Sequence, residues 1–220
     1  MAGRLSFVTA VGNDHGKPGQ ENRADHRNDL EPPVHHEYPR AEVAAVTERA
    51  MAGELDFAES LIERVKALAG LPETVFAEVQ NRITITKGAK DLIDAVHQAG
   101  GKVGAVSGGF IQLLTPLAEI LRLDFARANH LEVVDGFLTG KVLGAIVDRQ
   151  AKADALIEWA AATETPIANT VAVGDGANDL AMMEIAGLGV GFNCKPIVRE
   201  HADYILEGND LSKLIEKLGL

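Results

Sequence analysis

From Lys87 to the C-terminus, short β-branched runs alternate with segments of helical period, and this alternation constrains the fold more than any other feature of the chain. After Lys87-Gly88 the pattern reads as a helix over 89–99, the Gly100-Gly101 break, a strand over 103–106 and a helix starting near Phe110. Val133-Val134-Asp135-Gly136-Phe137 carries the Asp-Gly signal of a tight hairpin, with its return arm through Thr139-Gly140-Lys141-Val142. Helices are predicted next over 151–162, 179–186, 197–202 and 211–218, and strands over 170–173, 189–192 and 204–206. Strands joined by crossover helices run parallel, so the expected class is α/β: a doubly wound parallel sheet covered on both faces.

Upstream of this core domain, taken as 82–220, the pattern is purely helical over 41–81. A first helix places Val43, Ala44, Val46, Thr47 and Ala50 on one side and stops near Gly53. Asp56 can cap a second, in which Phe57, Leu61, Val65 and Leu68 recur at helical spacing, and Pro72 opens a third that ends near Asn81. Residues 1–40 are different in kind. They hold four of the seven histidines (His15, His26, His35, His36) and four of the eight prolines, with no sustained apolar period between Asn13 and Arg40. One run breaks that pattern: Leu5 to Val11 is short, apolar, β-branched and followed by Gly-Asn-Asp-His-Gly, as expected of a buried strand ending in a turn.

Composition removes several function classes. Lys plus Arg number 21 against 32 Asp plus Glu, and a net charge of -11 repels nucleic acid and anionic lipid alike. Aromatic residues are only 5%, too few for a base-stacking surface. No apolar run approaches the ~18 residues of a membrane span, and the single cysteine, Cys194, cannot form an internal disulfide. A cytoplasmic protein acting on small molecules is expected.

In a parallel sheet, ligands bind beyond the carboxyl ends of the strands. Three places there carry chemistry. Ser107-Gly108-Gly109 ends a strand and offers amides beside a hydroxyl, which suits a phosphate, although a tight turn with a Ser cap has the same residues. Gly174-Asp175-Gly176-Ala177-Asn178-Asp179 lacks the third glycine of a dinucleotide loop and has a carboxylate where pyrophosphate would approach. Its two carboxylates, four residues apart, suit Mg²⁺, while Asp179 alone could be a helix-end acid. Lys152 opens a helix against the macrodipole, which calls for a nearby anion unless the side chain is merely solvated. A hydroxyl with amides, a lysine and a carboxylate pair together fit phosphoryl chemistry.

These segments resemble the phosphoserine phosphatases of the haloacid dehalogenase superfamily: Val-Ser-Gly-Gly-Phe at 106–110, Asp-Gly-Phe-Leu-Thr-Gly at 135–140 and Val-Gly-Asp-Gly-Ala-Asn-Asp-Leu at 173–180. The stretch from Glu48 to Phe57, with Ser60, Leu61 and Arg64, is similar to that family's small helical cap. The resemblance implies a Mg²⁺-dependent hydrolase that converts O-phospho-L-serine to serine and phosphate through an aspartyl-phosphate. It implies that Ser107, Gly108 and Gly109 hold the phosphate, that Lys152 neutralises charge, that Asp175 binds the metal and that Asp179 supports its waters. It assigns Asn178 to the substrate pocket, Met51 and Phe57 to closure over the substrate, and Arg64 to a bidentate pair with the substrate carboxylate. The partner would be a small phosphomonoester, with no nucleic acid or membrane, and a homodimer is compatible with it.

One family motif is missing. An early strand should end in Asp-x-Asp-x-Thr, whose first Asp is the nucleophile, and no such motif occurs here. Asp14 is the sole positional stand-in. The expectation is a phosphoserine phosphatase-like chain of low or absent activity; the alternative is a non-catalytic phosphate or phosphoamino-acid binder on the same scaffold. A metal site on the four leader histidines lacks ligand spacing. Leu5 to Val11 is expected to fill the vacated central slot, between the strands ending at Val106 and Val173, because an empty slot would strip both neighbours of ladder hydrogen bonds.

Overall fold

The structure, a computed structural model, describes residues 6–10 (as backbone), 43–46, 49 and 55–220. Seven strands form one sheet in the order β4-β3-β2-β1-β5-β6-β7: β1 (Ser6–Ala10), β2 (Lys102–Phe110), β3 (Phe125–Val134), β4 (Phe137–Leu143), β5 (Thr170–Gly174), β6 (Leu188–Phe192) and β7 (Tyr204–Leu206). Neighbouring strands pair in parallel except β3 with β4, which close the expected hairpin at Asp135-Gly136. Both turn residues have positive φ, 51° and 80°, as a two-residue hairpin loop requires.

The central slot is filled as expected. β1 pairs in parallel with β2 on one side, Ser6 with Lys102 through Ala10 with Val106, and with β5 on the other, Ser6 with Thr170 through Thr9 with Val173.

Eight helices among the described residues surround this sheet: α1 (Phe57–Lys66), α2 (Val75–Gln80), α3 (Ala89–Gln98), α4 (Ile111–Leu121), α5 (Arg149–Ala162), α6 (Leu180–Ile185), α7 (Pro196–Arg199) and α8 (Lys213–Leu218). Residues 43–46 and 49 are helical as well. β5 is buried along its whole length and sends alternate residues to opposite faces. Ala172 joins Val106, Leu156, Trp159 and Met182 under α5 and α6, while Val171 and Val173 join Leu92, Val96, Val190 and Leu214 under α3 and α8. A third apolar cluster holds α1 and α2 against the hairpin through Leu61, Val65, Leu71, Val75, Leu131 and Leu138.

Two boundaries depart from the sequence pattern. The helix expected from Pro72 starts at Val75, because residues 70–73 first pair with the outer edge of β4. Gly70 N donates to Leu138 O, Leu138 N to Leu71 O and Glu73 N to Gly136 O, each at 2.8 Å. The segment 125–129, not anticipated as a strand, pairs in parallel with β2 before entering the hairpin. Asp56 does cap α1, in a reciprocal box with Glu59: Glu59 N donates to Asp56 Oδ1 at 2.8 Å, and Asp56 N to Glu59 Oε2 at 3.0 Å.

Candidate active site

The register brings the first two expected segments to the carboxyl edge of the sheet, on either side of β1. Ser107 follows Val106, the partner of Ala10, and Gly174-Asp175 follows Val173, the partner of Thr9.

Ser107-Gly108-Gly109 bulges out of the sheet. Val106 pairs with Arg127 and Phe110 with Asn129, so four steps along β2 face two along β3. Gly109 N donates to Ser107 Oγ at 3.0 Å, and Ser107 is buried. The Gly108 carbonyl accepts from Asn129 Nδ2 at 2.9 Å. A Cβ on Gly108 would lie 2.8 Å from Cζ of Phe57, so the first side chain of α1 rests over this loop and would have to shift to admit a larger residue.

Lys152 is not solvated. It is 1% exposed in the first turn of α5, and its Nζ donates to Asp179 Oδ1 at 2.6 Å, with Asp179 fully buried. Asp179 makes no side-chain cap bond to α6; its Oδ2 accepts from the amides of Asp175 and Gly176, 3.1 Å each, the second being the N-cap amide of the 3-10 turn over 177–179. A Cβ on Gly174 would stand 2.4 Å from that of Asp179, which explains the glycine at the end of β5.

Burial, and then the charge of Asp179, push the Asp175 carboxyl above the ordinary aspartate range, while Lys195 and Lys152 oppose the shift. Lys195 belongs here through its backbone too, its N–H donating to Asp175 O at 2.9 Å. Asn178 folds over Gly176, its Oδ1 2.8 Å from where a Cβ would be. Arg64 lies two turns beyond Phe57 in α1 and is half-buried. It spends Nε on Ser60 O at 3.1 Å and forms no ion pair among the described residues, and burial lowers its pKa.

Met51 and Asp14 lie outside the described residues. The sequence reading missed Asn129, which is 1% exposed and also accepts from Val147 N at 2.8 Å through Oδ1, and Lys195. Neither has a local signature, since a lone Asn in a strand and a Lys before Pro fit any surface. Among the described residues no three His, Cys, Asp or Glu side chains gather as a metal cluster; the carboxylate pair Asp175 and Asp179 is what the site offers.

The model of the haloacid dehalogenase-like hydrolases matches residues 22–184. The chain is 52% identical over 177 residues to a phosphoserine phosphatase of Streptococcus thermophilus, covering 80% of this chain and 82% of that protein. The chain belongs to the haloacid dehalogenase-like hydrolases, among the phosphoserine phosphatases.

Other members of the family are longer. The match to the phosphoserine phosphatase of Mycobacterium tuberculosis, 50% identical, covers 82% of this chain but 44% of that one. Among solved structures, a phospho-aspartyl intermediate analogue of phosphoserine phosphatase superposes with a TM-score of 0.78 at 33% identity over 98% of this chain and 99% of that one. A substrate-bound phosphoserine phosphatase complex gives 0.73 at 41% identity, covering 80% and 84% of the two chains. No helix among the described residues is long and apolar enough to cross a membrane.

Proposed function

We propose that this chain binds O-phospho-L-serine in the manner of a phosphoserine phosphatase and hydrolyses it slowly or not at all. The observation that carries the binding half is the buried Lys152–Asp179 pair beside the glycine loops. A lysine and a carboxylate of 1% and 0% exposure hold each other in place, and the amides of Asp175 and Gly176 complete the carboxylate's bonding. A buried cation fixed in the first turn of a helix needs little reorganisation when a phosphate arrives. Ser107, Gly108 and Gly109 supply the phosphate's second wall. Phe57 excludes water above it, and Asn178 borders it. Arg64, free of acidic partners among the described residues, receives the serine carboxylate, with Met51 assigned to the same closure.

The acidic pair fits Mg²⁺, which commonly takes one or two carboxylates and completes its shell with water and substrate phosphate. Asp175 would hold it, with Asp179 behind through water; burial, and then the charge of Asp179, raise the pKa of Asp175, an environment that a cation would relieve. When bound, the ion neutralises charge on the phosphate oxygens. The chain's own residues orient the phosphate and shield it, but β1, Ser-Phe-Val-Thr-Ala, brings no carboxylate to attack phosphorus. Asp14 remains the one acidic candidate from that part of the sequence. The non-catalytic reading, a phosphate or phosphoamino-acid binder, rests on that same strand. We place this protein in the cytoplasm, on the lone thiol, Cys194.

Two measurements on the full chain test this: calorimetric binding of phosphoserine with Mg²⁺, and phosphate release from it. Binding in the absence of appreciable release is expected. No binding overturns the reading, and fast release overturns its second half.

A further inference from the structure

At the Ser107–Gly109 bulge the pairing of β2 with β3 shifts register, and one side chain spans the shift. Asn129 sits on β3 opposite Phe110, just where the pairing with β2 resumes, and is 1% exposed. Its two amide ends go to two different functional loops. Nδ2 donates to the carbonyl of Gly108 at 2.9 Å, and Oδ1 accepts from the N–H of Val147 at 2.8 Å. We infer that Asn129 is a positioning residue that locks the Ser107–Gly109 loop and the start of the Lys152 helix into one relative geometry, an inference that rests on the phosphate-binding reading above.

The physical case runs through peptide planes. In a trans peptide C=O and N–H point in opposite directions. With the Gly108 carbonyl held by Asn129, the Gly109 N–H faces the other way, where it meets Ser107 Oγ at 3.0 Å. Two glycines without this restraint would sample many orientations, and ordering them would weaken anion binding. On the other side, Val147 directly precedes Asp148, the N-cap of α5, whose Oδ1 accepts from Ala151 N at 2.8 Å and whose carbonyl accepts from Lys152 N at 3.2 Å. Rotation of the Asn129 amide would therefore shift the Gly108 peptide and the first turn that carries Lys152 together.

The test uses inorganic phosphate with Mg²⁺ and the full chain. In the unaltered protein, phosphate should slow hydrogen exchange of the Val147 amide, by about tenfold at saturation. The amide of Val103, held by Asp124 Oδ2 at 2.9 Å at the opposite end of β2, should change far less. Asn129→Asp keeps the shape and the acceptor for Val147 but sets an oxygen against the Gly108 carbonyl. It should weaken phosphate binding about tenfold or more, as misplaced site groups do, with its melting temperature followed in parallel. Equal slowing at Val147 and Val103, or wild-type phosphate affinity in Asn129→Asp, overturns the inference while the site reading stands. Absence of phosphate binding in the unaltered chain overturns the site reading, and the inference with it.

Discussion

The two flanks of β1 and β1 itself occupy neighbouring positions in one sheet and answer to different demands. On the flanks, the Ser107–Gly109 loop bulges within β2 and Asp175 follows β5, and each is tied to named side chains: the Gly108 carbonyl to Asn129 on one side, the Asp175 amide to Asp179 and through it to Lys152 on the other. β1 shows what the sheet itself requires. Its backbone completes the ladders of β2 and β5 over Ser6–Ala10. A parallel central strand asks only for β-compatible residues and free N–H and C=O groups, so many sequences can serve. Phosphoryl transfer asks for one carboxylate at one position, so on the proposed reading the slot would be structurally full and chemically empty.

The sharpest way to break this comparison is turnover. Phosphoserine hydrolysis by this chain should fall several decades below that of the Streptococcus thermophilus relative measured alongside it, on the order of the losses seen when covalent nucleophiles are deleted. Robust Mg²⁺-dependent phosphate release would show the slot to be chemically occupied, and Asp14→Asn would then tell whether that residue attacks.

The next effect is on stability. Lys152→Met leaves the Asp179 carboxylate buried without its cation, and urea unfolding should register a loss of about 3–5 kcal/mol. Lys102→Met, which removes an exposed partner of Asp124, should cost well under about 1 kcal/mol. Equal losses would mean that the Lys152 pair is a surface-like contact.

Gly174→Ala presses a methyl onto Asp179 and should cost about 1–3 kcal/mol as overpacking, read from the same urea curves. It should also weaken phosphate binding, since Asp179 positions Lys152.

The smallest effect is electrostatic. The folded-state pKa of Asp175 is raised, so the native state binds the proton more readily than the unfolded chain. Its contribution is favourable at low pH and is lost as pH rises from the ordinary aspartate value through the raised one. Asp175→Asn should therefore melt slightly higher than the unaltered chain at pH 7, with the gap closing as pH falls into the ordinary aspartate range. A gap independent of pH would assign the change to packing.

Much of this was legible in the chain, for reasons particular residues make plain. Asp135-Gly136 needs positive φ, so it announces its hairpin; Leu5 to Val11 was the one apolar run that could fill a central slot. Lys152 was flagged by its conflict with the macrodipole, and the anion that resolves it, Asp179, lies 27 residues away. What stayed hidden was tertiary. Asn129 earns its place through carbonyl and amide groups that exist as partners only once the bulge forms, and Pro72 reads as a helix opener until the edge of β4 claims the backbone around it.

That last arrangement also bears on how copies of the chain treat one another. An open strand edge is a template for pairing with another molecule, and the longer and flatter it is the greater the hazard. Here residues 70–73 lie outside the start of β4 and occupy both backbone groups of Leu138 and the carbonyl of the turn residue Gly136, while the opposite margin, β7, is only three residues long. The sheet is thus covered by its own chain at the start of one margin and kept short at the other, which limits edge-to-edge pairing independently of whether the central strand can do chemistry.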